Sequence, residues 1–170
     1  NVSAAINALR RRLPFPLLGL DSDNDGVFIN ETLNRYCTQS HITFTRSRPY
    51  RKNDQAHVEQ KNWSVVRQTI GYRRYESAEA LALLETIYAD LRLYVNFFQP
   101  VMKLMAKTRL GSRIHKTYDI ARTHHQRVMA AGTVDGPDKL RIQHNYLSLN
   151  PVALKTRIEA NLKNLWRLPR

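Results

Sequence analysis

Acidic residues are scarce in this chain, with 14 Asp and Glu against 27 Lys and Arg over 170 residues, a formal charge of +13 and a pI of about 10.3. That imbalance argues against a basic partner and favours a polyanion, nucleic acid above all, although ribosomal and membrane-surface proteins share it. Cysteine occurs once, at Cys37, which excludes an internal disulfide and a cysteine-based zinc cluster and fits a reducing cytoplasm. Its expected role is core packing. No apolar run approaches the ~18 residues that span a bilayer. Asn1-Val2-Ser3 leads to Arg10-Arg11-Arg12 rather than to a signal sequence, so a soluble, cytoplasmic protein with no membrane partner is expected. Internal repeats and low-complexity segments are absent.

What is present is enough apolar material for a core: 42% of the residues are hydrophobic, and the length suits one compact domain with an appended helical segment. The periodicity predicts a short helix over residues 2–12 and, beyond Pro14 and Pro16, a buried strand over 15–20. Asn30 caps a helix to about Gln39 with Leu33, Tyr36 and Cys37 on one side, and a strand follows over 42–45. A polar basic loop spans 46–54. The next helix carries Glu59, takes Val58, Val65, Val66 and Ile70 as its apolar positions and stops at Gly71. Ser77 caps the longest helix, 78–98, with an expected inward stripe of Leu81, Leu84, Tyr88, Leu91, Val95 and Phe98. Residues 99–120 read as basic and loop-rich, followed by helices over 121–131 and 137–148. Asn150-Pro151 opens a final helix with Leu154, Ile158, Leu162 and Leu165 inward.

Two acidic positions carry the chemistry. Asp23 lies in Leu20-Asp21-Ser22-Asp23-Asn24, and Glu59 follows after 35 intervening residues in Ala56-His57-Val58-Glu59-Gln60-Lys61-Asn62. A strand end and a nearby helix that each present a carboxylate can hold divalent metal for phosphoryl transfer. Asp21-Ser22-Asp23-Asn24-Asp25-Gly26 also opens like an EF-hand calcium loop. Position twelve of that loop is Thr32 where a bidentate glutamate is required, and two prolines interrupt the entering helix.

Together with Phe28-Ile29-Asn30 and the run from Thr45 through Arg46-Ser47-Arg48-Pro49-Tyr50-Arg51-Lys52-Asn53-Asp54-Gln55 to Asn62, these segments resemble the integrase core of DDE-type insertion-sequence transposases. That superfamily includes the retroviral integrases, and the resemblance covers about residues 15–98. It implies an α/β, RNase H-like fold, a mixed sheet flanked by helices. Residues 1–98 would form a partial catalytic core and 99–170 a basic, mainly helical tail. It further implies that Asp23 is the second catalytic aspartate and Glu59 the catalytic glutamate, both binding Mg2+ or Mn2+ in what is a two-metal site in the complete enzyme. The reaction implied is strand transfer on DNA, with transposon ends and target DNA as partners. A homo-oligomer and, in a bacterial cell, association with the nucleoid go with that role.

This chain departs from the family at Asp25-Gly26-Val27-Phe28, where many members have Gly-Ser-Glu-Phe, and at Ala56-His57, where Gly-Lys is usual. Residues 1–20 contain no acidic residue. The first aspartate of the triad is therefore missing, and the chain reads as N-terminally truncated. The alternative is a catalytically inactive nucleic-acid-binding remnant of a transposase.

Arg46, Arg48, Tyr50, Arg51, Lys52, His57 and Lys61 are the expected DNA contacts, with an exposed helix residue as the other reading of His57. Trp63 reads as core, with base stacking as its other use. The remaining histidines read as structural or surface residues, and Met102 and Met105 as packing with Phe97 and Phe98. A structural role, with the stripe over 81–98 and the last helix supplying subunit contacts, is a third class.

Overall fold

A computed structural model of the chain describes residues 2–22, 31–48, 60 and 62–169, and among them the sequence periodicities become seven α-helices and two small sheets, a mixed α/β architecture. Contacts divide it into two units, Asn1–Arg73 and Arg74–Arg170. The long helix over 78–98 therefore sits with the C-terminal helices.

In the first unit, α1 (Val2–Arg10) is followed by β1 (Gly19–Ser22), α2 (Glu31–Gln39) and β2 (Thr43–Arg46). The strands pair in parallel, Gly19 opposite Thr43 through Ser22 opposite Arg46. With α2 between them in sequence they form a β-α-β unit. Ile6, Leu33, Cys37 and Ile42 are buried together, with Val2, Leu17, Leu20, Tyr36 and Phe44 packed against them. The Tyr36 hydroxyl donates to Asn7 Oδ1 at 2.7 Å and accepts from Arg10 Nη1 at 3.1 Å, tying α2 to α1. Burial pushes the Cys37 thiol up, as expected of an unreactive core cysteine.

The buried strand expected over 15–20 is displaced. Leu18 is 73% exposed and Phe15 43%, and the ladder starts only at Gly19. Prolines at 14 and 16 lack the N–H that a ladder needs, and an apolar run alone did not reveal where pairing could begin.

Beyond residue 60 a π-helical stretch, Asn62–Arg67, runs directly into α3 (Gln68–Ile70). Gly71 ends it at φ 79° and ψ −156°, a conformation essentially reserved for glycine. Trp63, expected in the core, is 53% exposed. The wider π turn over Asn62–Arg67 rotates successive side chains less than 100°, so a 3.6-residue spacing does not describe this stretch.

The second unit contains α4 (Ala78–Phe98), a hairpin of β3 (Leu104–Leu110) and β4 (Arg113–Tyr118), then α5 (His124–Ala130), α6 (Gly136–Ser148) and α7 (Pro151–Arg167). Caps fix the helix starts. Ser77 Oγ accepts from Ala80 N, Thr123 and Gln126 form a capping box, and Asn150 Oδ1 accepts from Val152 N and Ala153 N. The most extensive helix pairing in this unit is α4 on α7, burying Ala80 and Ile87 from one and Leu154, Ile158 and Leu165 from the other.

The buried face of α4 is rotated from the expected stripe: Leu81 is 59% exposed, while Asp90 is only 8% exposed. Arg157 of α7 explains the buried charge, donating from Nε and Nη2 to the two Asp90 oxygens at 3.0 and 2.8 Å. The Asp90 carboxylate in turn holds the Arg157 guanidinium above its ordinary pKa.

Where basic loop was expected over 99–120, the chain forms the antiparallel β3–β4 ribbon, with a two-residue Gly111-Ser112 turn and Gly111 at φ 60°. Every residue of both strands is exposed. Met102 and Met105, expected to pack with Phe97 and Phe98, are 60% and 68% exposed. His125 takes that place, stacked on Tyr146 at 4.5 Å and beside Phe97 at 5.4 Å. No helix among the described residues is long and apolar enough to cross a membrane.

Candidate functional site

The β-α-β unit brings the carboxyl ends of β1 and β2 to one edge, the usual placement of ligand-binding groups in parallel sheets. Ser22 lies opposite Arg46, and the Ser22 carbonyl accepts from Ser47 N at 3.0 Å and from Ser47 Oγ at 3.3 Å. Ser22 and Ser47 are both buried, so these strand ends are clamped. Among the described residues the buried Ser22 hydroxyl has no hydrogen-bond partner. Asp21 faces outward, its Oδ1 accepting from Thr45 Oγ1 across the sheet at 2.7 Å.

Asp23 is the next residue after Ser22 in sequence; it and Glu59 lie outside the described residues, as do Tyr50, Arg51, Lys52, His57 and Lys61. Of the expected DNA contacts, Arg46 and Arg48 are described, and both are exposed at the carboxyl end of β2. Two other cations of the basic stretch are engaged internally. Arg67 lies 5.1 Å over the Tyr72 ring, and Arg74 pairs with Glu76 at 2.6 Å.

Among the described residues no group of three or more His, Cys, Asp or Glu side chains could hold a metal. The expected donors, Asp23 and Glu59, lie outside the described residues. Hard carboxylate oxygens suit Mg2+ or Mn2+ and not a thiolate-seeking ion.

The basic stretch expected as loop over 99–120 is a second basic element, and its form is a strand pair. Between Asp90 and Asp119 the chain has no acidic residue, while Lys103, Lys107, Arg109, Arg113 and Lys116 fall on or beside the β3–β4 ribbon. The available signal was Gly111-Ser112 between two runs containing Thr, Ile and Tyr, a two-residue hairpin pattern. Asp119 closes the ribbon's base. Its Oδ1 accepts from Lys103 N at 2.5 Å and its Oδ2 from Arg127 Nη1 at 2.7 Å, while Arg127 Nη2 reaches the Val101 carbonyl at 2.8 Å.

The Arg127 hydrogen bond, followed by that from Lys103 N, holds the Asp119 carboxyl below its ordinary range. With the folded pKa below the unfolded one, the clasp contributes fully above about pH 4 and is lost as pH falls through the folded value. Asp119→Asn is therefore expected to lower the melting temperature at neutral pH, by a margin that narrows as pH drops below about 4. Paired melts from pH 7 to 2.5 check this, and a margin that stays constant with pH would contradict it.

No family model matches the chain, and no solved structure matches it. Uncharacterized protein y4rM of Sinorhizobium fredii is 52% identical over 117 residues, a stretch that makes up 69% of this chain and 33% of that protein. The chain thus spans about a third of the length of the relative it matches.

Proposed function

We propose that this chain carries part of an RNase H-like, DDE-type integrase core, and that its function belongs to DNA integration and transposition by metal-dependent strand transfer. The observation that carries this reading is the Asp23 and Glu59 pair with its 35-residue interval. Its support is the parallel β-α-β unit whose first strand runs directly up to Asp23. Asp23 and Glu59 would hold Mg2+ or Mn2+, which when bound supplies activation of the attacking oxygen and stabilisation of the leaving one. The chain's own contribution is to fix the strand end through the Ser22–Ser47 bonds and to meet the phosphate backbone with Arg46 and Arg48. Homo-oligomerisation of the complete transposase belongs to the same proposal.

The test is strand transfer and 3′-end processing on labelled duplex DNA with Mg2+ or Mn2+. The wild-type sequence, alone and within a longer chain extended upstream, is compared with Asp23→Asn and Glu59→Gln. Metal charge stabilisation worth several kcal/mol corresponds to a rate loss of about 10³-fold in either variant. The departures from the family at Asp25-Gly26-Val27-Phe28 and Ala56-His57 favour a second reading: a DNA-binding remnant without catalysis. DNA binding with no metal-dependent product in either context decides for that reading.

A further inference from the structure

The β3–β4 ribbon combines features that a core element does not tolerate. In the pairing register Lys107 stands directly opposite Lys116 and Arg109 opposite Ile114, so these three cations share one face. Arg113, paired with Leu110 one position further on, lies on the other face. None of the four forms an ion pair among the described residues. Like charges directly opposite one another disfavour a strand pair. An isolated two-stranded ribbon is at best marginally stable in water. The single carboxylate at the ribbon's base, Asp119, is taken up by Arg127 and the Lys103 amide. Between its two strands this element carries no negative charge of its own.

We propose that the β3–β4 ribbon is a binding element for duplex DNA that enters the major groove, with Lys107, Lys116 and Arg109 directed to the phosphates of one groove wall and Arg113 to those of the other. The charge argument stands by itself; the choice of DNA as the polyanion rests on the proposed function above. The shape of the ribbon favours that choice. A two-stranded ribbon fits the major groove of B-form DNA, about 12 Å wide, whereas the deep, narrow major groove of A-form RNA does not admit side chains. Cations on both faces suit a groove with phosphates on two sides, while a lipid surface would meet only one face.

The experiment is fluorescence anisotropy of the full chain with a labelled 30-base-pair duplex over a range of salt concentrations. Lys107→Gln/Lys116→Gln is compared with wild type and with Arg46→Gln/Arg48→Gln, and all are checked for unchanged melting temperature. All the substituted side chains are exposed. Loss of two phosphate contacts should weaken binding about tenfold near physiological salt and reduce the slope of log K against log salt by about 2.

An affinity and slope equal to wild type would overturn the ribbon proposal while leaving the strand-transfer reading intact. The expected loss of affinity, in a chain that shows no metal-dependent strand transfer, would support the ribbon and overturn only the enzymatic reading. Wild-type protein that binds anionic phosphatidylserine vesicles through the two lysines, but not the duplex, would overturn DNA as the occupant.

Discussion

Raising salt from about 50 to about 200 mM is expected to weaken binding of the chain to duplex DNA by roughly 10³-fold. The magnitude follows from counterion release: each neutralised phosphate contributes close to one unit to the log–log slope, so about six contacts across a fourfold change in salt give three orders of magnitude. The chain has cations for that number. Arg46 is exposed at the end of β2, Lys103 is exposed beside the ribbon, and the four ribbon cations form no ion pair among the described residues. Arg67 and Arg74 are left out of the count because the Tyr72 ring and Glu76 already hold them. Titration of a labelled duplex at four salt concentrations measures the slope. A flat dependence would mean that the net charge of +13 is not directed at DNA.

Ile87→Ala should destabilise the second unit by about 2–5 kcal/mol, a large share of the 5–15 kcal/mol typical of a whole domain. Ile87 is fully buried near the middle of α4, the helix that packs on α7. Truncation removes its transfer energy and leaves a space that two capped, rigid helices collapse into poorly. Leu81→Ala is the control. Leu81 is 59% exposed, so its loss should cost less than about 0.5 kcal/mol. Urea unfolding followed through Trp166 distinguishes the two variants, and a large effect of Leu81→Ala with a small one of Ile87→Ala would restore the stripe expected from sequence.

Helix starts were the most legible part of the fold because their chemistry is local. Ser77 and Asn150-Pro151 name their own caps, and Gly71 names a stop that only glycine tolerates. The face of α4 was less legible, because Asp90 lies inward only by virtue of Arg157, 67 positions later in the chain, and hydrophobicity carries no trace of a distant partner. The ribbon was missed for a different reason: with all its residues exposed, it lacks the apolar face from which strands are usually read. As for the candidate site, Asp23 and Glu59 were legible as a motif alone. The structure adds the clamped β1–β2 edge leading up to Asp23, with Arg46 and Arg48 at its rim. The ribbon's phosphate-binding potential emerged only once register set Lys107 against Lys116.

The parallel pair of β1 and β2 has a further consequence. Each of these four-residue strands uses one side of its backbone in the ladder, and among the described residues the sheet has no third strand. Its outer margins present amide donors and carbonyl acceptors at the spacing of a strand. Parallel sheets are ordinarily wide and covered on both faces, so this one has the character of a seam. So short a pair owes its persistence to the Ile6, Leu33, Cys37 and Ile42 packing beneath it rather than to its own ladder.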